Sequence, residues 1–178
     1  MIPQKVSRCI VIAFLTLFIA SCNNNDVFLQ FKTLPEEGWY KDSLAVFEVP
    51  ITDVSASYSI YVNIRNNNRY PYQNFWFFKT QITPDGTVVN DTIECYLADN
   101  RGKWLGSGIG AAFEMSVLCE QNVRFDKEGI YQYKITQGMR EDVLRGIQDI
   151  GLQVEKSPSQ PPRKRGGRLV SSLKVEHR

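Results

Sequence analysis

The chain has 178 residues, of which 43% are hydrophobic and 22% charged, a composition typical of a folded globular domain. Its formal net charge of +2 hides an uneven distribution. Residues 22–156 carry thirteen basic and eighteen acidic side chains, whereas residues 157–178 carry six basic and one acidic. The single histidine, His177, and the lack of a Cys-x-x-Cys pair argue against histidine-dependent catalysis and against a zinc site. We therefore expect no enzyme activity, no metal and no cofactor.

The N-terminal segment has the layout of a bacterial export signal. Two basic residues precede an apolar run over residues 9–20, which is shorter than the roughly 20 residues that a membrane-spanning helix needs. The run ends in Ile19-Ala20-Ser21-Cys22, which resembles the lipobox at which bacterial lipoproteins are cleaved and acylated. We predict a signal peptide over residues 1–21 and a lipid anchor, palmitate included, on Cys22. The alternative is an ordinary signal peptide in which the cysteine has no role.

The residues after the anchor divide into three parts. Residues 22–26 are mostly Asn and Asp and predict a short polar tether. Residues 27–156 are long enough for one domain with one core. Residues 157–178, "SPSQPPRKRGGRLVSSLKVEHR", lack apolar periodicity and predict a disordered basic tail. This tail is either an uncommitted solvated extension or an electrostatic contact with an acidic polymer or headgroup, and nucleic acid is not expected as its partner.

Alternation of apolar and polar residues, the period of a half-buried strand, dominates residues 27–156. The clearest example is "SYSIYVNIRN" at residues 57–66. Pro84-Asp85-Gly86 is a turn sequence that should join two further runs into a hairpin. About eight short strands with hardly any helical periodicity predict an all-β fold, a single antiparallel β-sandwich or jelly-roll-like domain. The strands are expected near residues 27–33, 43–49, 57–66, 75–83, 87–97, 113–125, 130–137 and 149–155.

The stretch "RNNNRYPY" is the best candidate in the sequence for contact with a partner. It places two arginines beside two tyrosines in a connection between strands, and these residue types are enriched at protein interfaces. A plain hairpin connection is the alternative. The residues that would carry the contact are Arg65, Asn66, Asn67, Asn68, Arg69, Tyr70 and Tyr72.

Cys95 and Cys119 are the two thiols that would remain in the processed protein, and both lie in strand-like runs. Export permits their oxidation to a disulfide. A bridge that closes a loop of roughly 25 residues would contribute about 3 kcal/mol in the chain-entropy model. The alternative is that both cysteines are buried and unpaired.

Several unusual segments of the chain fall in the order and spacing of one family, the gliding-motility lipoprotein GldH family of the Bacteroidetes. These segments are the lipobox, "GWYKDSL", "YVNIRNNNRYPYQNFWFF", "PDGTVVNDTIE", "GKWLGSGIG", "NVRFDKEGIYQYKITQGMR" and "GIQDIGLQVEK". The chain resembles this family from about residue 17 to residue 156, and the basic tail departs from the family pattern.

The resemblance implies a lipoprotein of the cell envelope, held in the outer membrane. It implies a non-catalytic accessory or scaffold component of the gliding motility and type IX secretion apparatus, with other envelope proteins as partners. The family has no catalytic residues to carry over. The alternative from another class is a carbohydrate-binding surface lipoprotein, for which exposed coplanar rings would form the sugar platform. The rings available for it are Trp39, Tyr40, Tyr70, Tyr72, Trp76 and Trp104.

Two short segments also resemble the Asp-Ser/Thr-aliphatic motif at which exported Bacteroidetes proteins are O-glycosylated. They are Asp42-Ser43-Leu44 and Asp91-Thr92-Ile93, so Ser43 and Thr92 are the predicted acceptors. Alternation places Thr92 on the solvent face of its strand, whereas the residues around Ser43 do not alternate cleanly. Asp-Ser and Asp-Thr are also common at turns and strand starts, which is the alternative interpretation.

Overall fold

The computed structural model describes residues 25–157, and in this range the chain forms eleven β-strands and no helix. The predicted all-β class is therefore confirmed. None of the described residues forms a helix that could cross a membrane. The strands are β1 (Asp26–Thr33), β2 (Trp39–Tyr40), β3 (Ala45–Ile51), β4 (Tyr58–Asn67), β5 (Asn74–Ile82), β6 (Val88–Tyr96), β7 (Ser107–Ile109), β8 (Ala112–Val123), β9 (Gly129–Gln137), β10 (Val143–Leu144) and β11 (Ile147–Lys156).

The strands form two antiparallel sheets that share one core, together with a two-stranded ribbon of β2 and β10. Sheet I has five strands in the order β1-β11-β4-β8-β7. Sheet II has four strands in the order β3-β9-β5-β6. In each sheet a late strand lies between two earlier ones, since β11 separates β1 from β4 and β9 separates β3 from β5. The sandwich is therefore held together by contacts between distant parts of the chain.

The core between the sheets follows from the alternation of the strands. Ile60, Val62 and Ile64 of β4 are fully buried, as are Phe75 and Phe77 of β5. Each such side chain contributes roughly 1.5–3 kcal/mol by leaving water. Other core residues are Trp39, Phe47, Val49, Ile51, Tyr133, Ile135, Leu144, Ile150, Leu152 and Val154.

The predicted hairpin is present as β5 and β6, and it is confirmed. Its register runs without a bulge from Asn74↔Tyr96 to Ile82↔Val88. The turn contains Gly86 at φ +86°, a left-handed conformation that glycine adopts without a Cβ clash. The local pattern of turn and alternation was therefore sufficient to place these two strands.

Both ends of the described chain leave the sandwich together. β1 and β11 pair antiparallel from Asp26↔Glu155 to Thr33↔Asp149. The backbone N–H of Lys156 donates to the carbonyl of Asn25 at 2.9 Å. We call the end of the sandwich at Asn25 and Lys156 the tether end. The opposite end, which carries the connections β4–β5, β6–β7 and β9–β10, is the loop end.

Candidate partner-contact surface

The outer face of sheet II carries exposed aromatic side chains. Trp76 and Phe78 of β5 and Tyr96 of β6 point away from the core and are 37%, 45% and 56% exposed. The register places Trp76 opposite Glu94 and Phe78 opposite Thr92, so the three rings lie on one surface of two neighbouring strands. We call these three rings the aromatic face. Contiguous exposed apolar side chains of this kind mark interaction surfaces.

A groove of about 580 Å³ opens beside Trp76 at the loop end. The loop after β9 forms one wall, since the N–H of Gly138 donates to the carbonyl of Trp76 at 2.8 Å. The backbone N–H of Trp76 lies 3.4 Å from the thioether sulfur of Met139. Buried Gln137 holds this loop by accepting from the N–H of Met139 at 2.8 Å and donating to the carbonyl of Glu141 at 2.7 Å. The groove is lined by Tyr72, Asn74, Trp76, Gly138, Met139 and Arg140.

The predicted contact stretch over residues 65–72 is only partly available to a partner. Asn66 and Tyr70 are buried, which corrects the prediction for these two residues. The Tyr70 hydroxyl donates to the carbonyl of Asn74 at 2.7 Å, and its ring packs against Phe75 and Trp104. Tyr70 therefore holds the loop against the core.

The other loop residues remain near the surface. Asn67 accepts from the N–H of Arg69 at 2.9 Å, and Asn68 accepts from the indole N–H of Trp104 at 2.9 Å. Tyr72 lies in the groove and donates to the carboxylate of Glu141, and this hydrogen bond raises the pKa of its hydroxyl. Tyr72 is thus the residue of the predicted stretch that the structure brings to the aromatic face.

Arg65 lies on the outer face of the other sheet, where it covers an aromatic ring. Its guanidinium carbon is 3.9 Å from the centroid of Phe31. Its Nε is 2.7 Å from Glu114 and its Nη1 3.8 Å from Asp149. Gly151 lies beneath the ring, since a Cβ there would be 2.7 Å from Phe31. The ring on sheet I is therefore covered by a paired cation, unlike the rings on sheet II.

A charged cluster that the sequence analysis did not single out is centred on a lysine buried in the sandwich, and its two carboxylate partners are partly exposed. Lys79 of β5 is 1% exposed, and its Nζ pairs with Asp91 of β6 at 2.9 Å and with Glu120 of β8. Burial disfavours the charge, but hydrogen bonds to the two carboxylates outweigh it, so the pKa of Lys79 lies above its ordinary value. The ammonium keeps its proton and is not a nucleophile. The sequence does contain a clue to this burial, because Lys79 falls at the same alternate positions of β5 as the core residues Phe75 and Phe77.

Neither a metal site nor the predicted anchor can be placed on the described residues. Within residues 25–157 no three His, Cys, Asp or Glu side chains are arranged to hold a metal ion. Cys22, the signal peptide, residues 158–178 and His177 lie outside the described residues.

Cys95 of β6 and Cys119 of β8 are free thiols. The thiol of Cys95 donates to the carbonyl of Phe75 at 3.6 Å, and that of Cys119 to the carbonyl of Val117 at 3.5 Å. Burial raises the pKa of Cys95 to about 12, with a further contribution from the nearby Cys119. Burial also raises the pKa of Cys119 to about 11, although the charge of Lys79 opposes this shift. The disulfide stays a prediction.

The predicted glycosylation sites differ in exposure. Thr92 is exposed on the outer face of β6, in the phase that alternation indicates. Ser43 is half-buried, and its carbonyl accepts from the indole N–H of Trp39 at 2.9 Å. Modification of either residue stays a prediction.

The rings named for a sugar platform do not gather on one exposed surface. Trp39 and Tyr70 are buried in the core, and Trp104 is half-buried. Tyr40 is exposed but belongs to the ribbon rather than to the aromatic face. The carbohydrate-binding alternative is therefore not favoured.

The fold and this surface together define a β-sandwich domain that presents an aromatic face. The profile of the family described as GldH lipoprotein matches residues 26–154. The chain is 36% identical over 154 residues to the gliding motility lipoprotein GldH homolog of Christiangramia forsetii, covering 83% of this chain and 94% of that relative. It is 32% identical over 158 residues to the gliding motility lipoprotein GldH of Flavobacterium johnsoniae, covering 85% and 96%. The chain therefore belongs to the GldH lipoprotein family, as the resemblance implied, and is a membrane-anchored protein of the cell envelope.

Among solved structures, the infectious bursal disease virus VP2 subviral particle aligns with 72% of this chain and 30% of its own, at a TM-score of 0.32 and 16% identity. A likeness this slight has no bearing on function.

Proposed function

We propose that this protein is a non-catalytic scaffold of the gliding motility and type IX secretion apparatus, held in the outer membrane by the lipid on Cys22. Membership of the family supports the link to gliding motility, because both relatives are named as gliding motility lipoproteins. The partner in this proposal is another envelope protein of the same machinery, and the aromatic face is where it binds.

The main support for this proposal is that sheet II has an exposed edge strand beside the aromatic face. Strand β6 forms this edge, is nine residues long and pairs with β5 without a bulge. Its sequence, "VVNDTIECY", contains neither Lys nor Pro, and its two carboxylates are held by neighbouring β5, Asp91 by Lys79 and Glu94 by the side-chain amide of Asn74. Val88 and Val89 point to opposite faces and are both exposed. A long and regular edge whose charges are already paired within its own sheet can accept a strand from a partner.

The aromatic face would add side-chain contacts to such a strand pairing. Tyr96 lies on β6 itself, and Phe78 and Trp76 lie on the neighbouring strand, so an added strand would bring its outward side chains against these rings. Aromatic rings cover a large area and lose little conformational entropy, which is why they are enriched where proteins bind one another. The partner segment we expect is an extended strand with apolar side chains at alternate positions.

Site-specific photocrosslinking in living cells of the native host tests this contact. A photoreactive amino acid in place of Phe78 should capture a protein of the gliding or secretion machinery. Leu118 provides the matched control, since it is as exposed as Phe78, at 45% for each, and pairs with Tyr61 in sheet I. Capture of the same protein from both positions, or of none from Phe78, would contradict the proposal.

A functional test uses the same two positions. Phe78→Asp should leave the amount of anchored protein unchanged but should impair secretion of type IX substrates, because a charge replaces a ring at the contact. Leu118→Asp should behave like the wild-type protein. Normal secretion by the Phe78→Asp strain would show that the aromatic face is not where the machinery binds.

A further inference from the structure

The groove beside Trp76 has walls that suit an aromatic ring. Trp76 is 37% exposed on the outer face of β5, and the ring of Tyr72 packs edge-on against buried Tyr70, with centroids 5.8 Å apart. Met139 lies beside Trp76, since its sulfur is 3.4 Å from the backbone N–H of Trp76. Thioether sulfur and aromatic rings both attract a further ring. The groove volume of about 580 Å³ is within the range of pockets that hold small ligands.

The polar side chains along these walls already have partners within the domain. The Tyr72 hydroxyl donates to Glu141, and the side-chain amide of Asn74 donates to Glu94 at 2.8 Å. An apolar side chain that enters the groove can therefore displace water from the walls without leaving these polar groups unpaired, which would otherwise cost binding energy. The walls favour an apolar occupant.

One cation at the groove lacks such a partner. Arg140 lines the groove, is exposed, and takes part in none of the ion pairs formed within residues 25–157. The carboxylate of neighbouring Glu141 accepts from the Tyr72 hydroxyl instead. A guanidinium keeps its charge at physiological pH and offers several N–H donors in one plane, which is the arrangement that a carboxylate accepts best. The charge at the groove thus favours an acidic group in the occupant.

The register of β6 gives a strand of the partner a route to the groove. Tyr96, the last residue of β6, is registered with Asn74, which lines the groove. A chain that pairs with β6 and leaves it at Tyr96 crosses two strand spacings, about 10 Å, before it meets Trp76 on β5. Alternate residues of an extended segment face the same way and lie about 7 Å apart. One such segment can bring a ring to the groove and an acidic side chain to Arg140.

We infer that the groove binds an aromatic side chain of the partner, and that Arg140 pairs with an acidic side chain two residues away from that ring. The partner is the one in the proposed function, on which this step rests. Its apolar strand residues contact the aromatic face, and its aromatic-x-acidic segment lies at the loop end. The position of this segment fixes which end of the partner strand lies beside Tyr96.

Labelled methionine methyl groups report on the groove directly. The chain over residues 22–178 with Cys22→Ala contains two methionines, Met139 in the groove and Met115 in sheet I. The probe is the blocked peptide acetyl-Gly-Phe-Thr-Asp-Gly-amide, which is titrated while the carbon-13 methyl resonances are followed by NMR. The Met139 resonance should shift to saturation, and the Met115 resonance should stay in place.

Two altered peptides separate the ring from the charge. Replacing Phe by Ala should abolish the Met139 shift, because the ring supplies most of the apolar contact. Replacing Asp by Asn should weaken binding about threefold, the size of effect typical of one exposed ion pair. Arg140→Gln should bind the Asp and Asn peptides equally. Arg145→Gln, the control at an exposed arginine outside the groove, should keep the preference for Asp.

Three results would overturn the inference. The first is an unchanged Met139 resonance, and the second is a preference for Asp that survives Arg140→Gln while the Met115 resonance shows an intact fold. The third is tighter binding of acetyl-Gly-Phe with a free carboxyl terminus, which would assign the groove to a chain end. A Met139 shift that grows with protein concentration in the absence of peptide would place a second copy of this chain in the groove, again overturning the inference.

The two proposals fail in different ways. The NMR titration contains no gliding or secretion protein, so an unchanged Met139 resonance leaves the scaffold proposal intact. Capture from Phe78 without a Met139 shift would show that the machinery binds the aromatic face and does not use the groove. A Met139 shift without capture from Phe78 would support the groove chemistry and contradict the proposed partner.

Discussion

Both sheets carry aromatic rings on their outer faces, but only the ring on sheet I is covered by another side chain. On sheet I the inward residues Ile60, Val62 and Ile64 are apolar, and the outer ring of Phe31 is covered by Arg65. On sheet II the inward face includes the charged Lys79, and the outward face leaves aromatic rings in water. Sheet I contributes Glu120 to the same charged cluster, so the contrast between the sheets lies in their outer rings: the ring on sheet I is covered by a cation, and the rings on sheet II are not.

The inward lysine and the outward rings of sheet II are connected through strand β5. Its "FWFF" run at residues 75–78 has no polar alternation, so a one-residue shift would place Trp76 and Phe78 in the core without loss of apolar area. The same shift would carry Lys79 out of the interior and away from Glu120. We expect the ion pairs of buried Lys79 to fix the register that keeps the aromatic face exposed.

The largest expected loss of stability comes from replacing Lys79. Lys79→Ala should lower the free energy of unfolding by about 3 kcal/mol, because it leaves two neighbouring carboxylates unpaired and a void at a fully buried site. Urea denaturation measures this change. Lys79→Met, which keeps the volume, should recover part of the loss, and a loss below about 1 kcal/mol for Lys79→Ala would show that the cluster does not stabilise sheet II.

Substitution of the glycine next to each ring should have a smaller effect on stability, and it compares the space around the two rings directly. A Cβ at Gly151 on sheet I would lie 2.7 Å from Phe31, whereas one at Gly138 beside sheet II would lie 3.2 Å from Phe78. Gly151→Ala should therefore cost about 1 kcal/mol after the gain from reduced unfolded-state entropy, and Gly138→Ala about 0. Equal costs in thermal denaturation would mean that the ring on sheet I is no more tightly held than the rings on sheet II.

Each sheet contributes one thiol, and the pH dependence of stability reports on both. The pKa values of Cys95 and Cys119 are raised from 9.0 to about 12 and 11, so both stay protonated in the folded protein when the unfolded chain has begun to ionise. Their contribution to stability is complete below pH 9 and is lost as pH rises toward 11 and 12. Near neutral pH, alkylation should be slow in the folded protein and rapid in urea. Absence of both free thiols from unreduced, denatured protein would instead reveal a disulfide.

The smallest effect on stability is expected on the aromatic face. Phe78→Ser should change the free energy of unfolding by less than about 1 kcal/mol, because Phe78 stays 45% exposed in the folded protein and loses only part of its contact with water on folding. Phe31→Ser on sheet I should cost about 1–2 kcal/mol, since that ring is packed against Gly151 and Arg65. If Phe78→Ser destabilises the fold as much as Phe31→Ser, the aromatic face serves packing rather than binding.

Local patterns in the sequence were sufficient for the long strands but not for the shorter ones. Alternation over residues 57–66 and the turn at Pro84-Asp85-Gly86 placed β4, β5 and β6 correctly. The strands β2, β7 and β10 have two or three residues each, and a segment that short shows no period.

The candidate surface was harder to predict because it depends on the packing of the two sheets. "FWFF" cannot show which rings point outward, since every residue in it is apolar. The partners of Lys79 are 12 and 41 residues away, and Glu120 reaches it only because β8 lies across the core from β5. Tyr70 is buried for a similar reason, because its ring meets Phe75 and Trp104 in three dimensions.

The pairing of β1 with β11 also has a mechanical consequence. A pull on the lipid anchor enters the domain at Asp26, the first residue of an edge strand, and is directed along that strand. Interstrand hydrogen bonds in antiparallel sheets run perpendicular to the strands, so such a force loads the ladder in shear. All seven registered pairs between Asp26↔Glu155 and Thr33↔Asp149 then share the load, whereas a sideways pull would open them one at a time. A load on the anchor therefore reaches the aromatic face through the whole ladder and the core behind it.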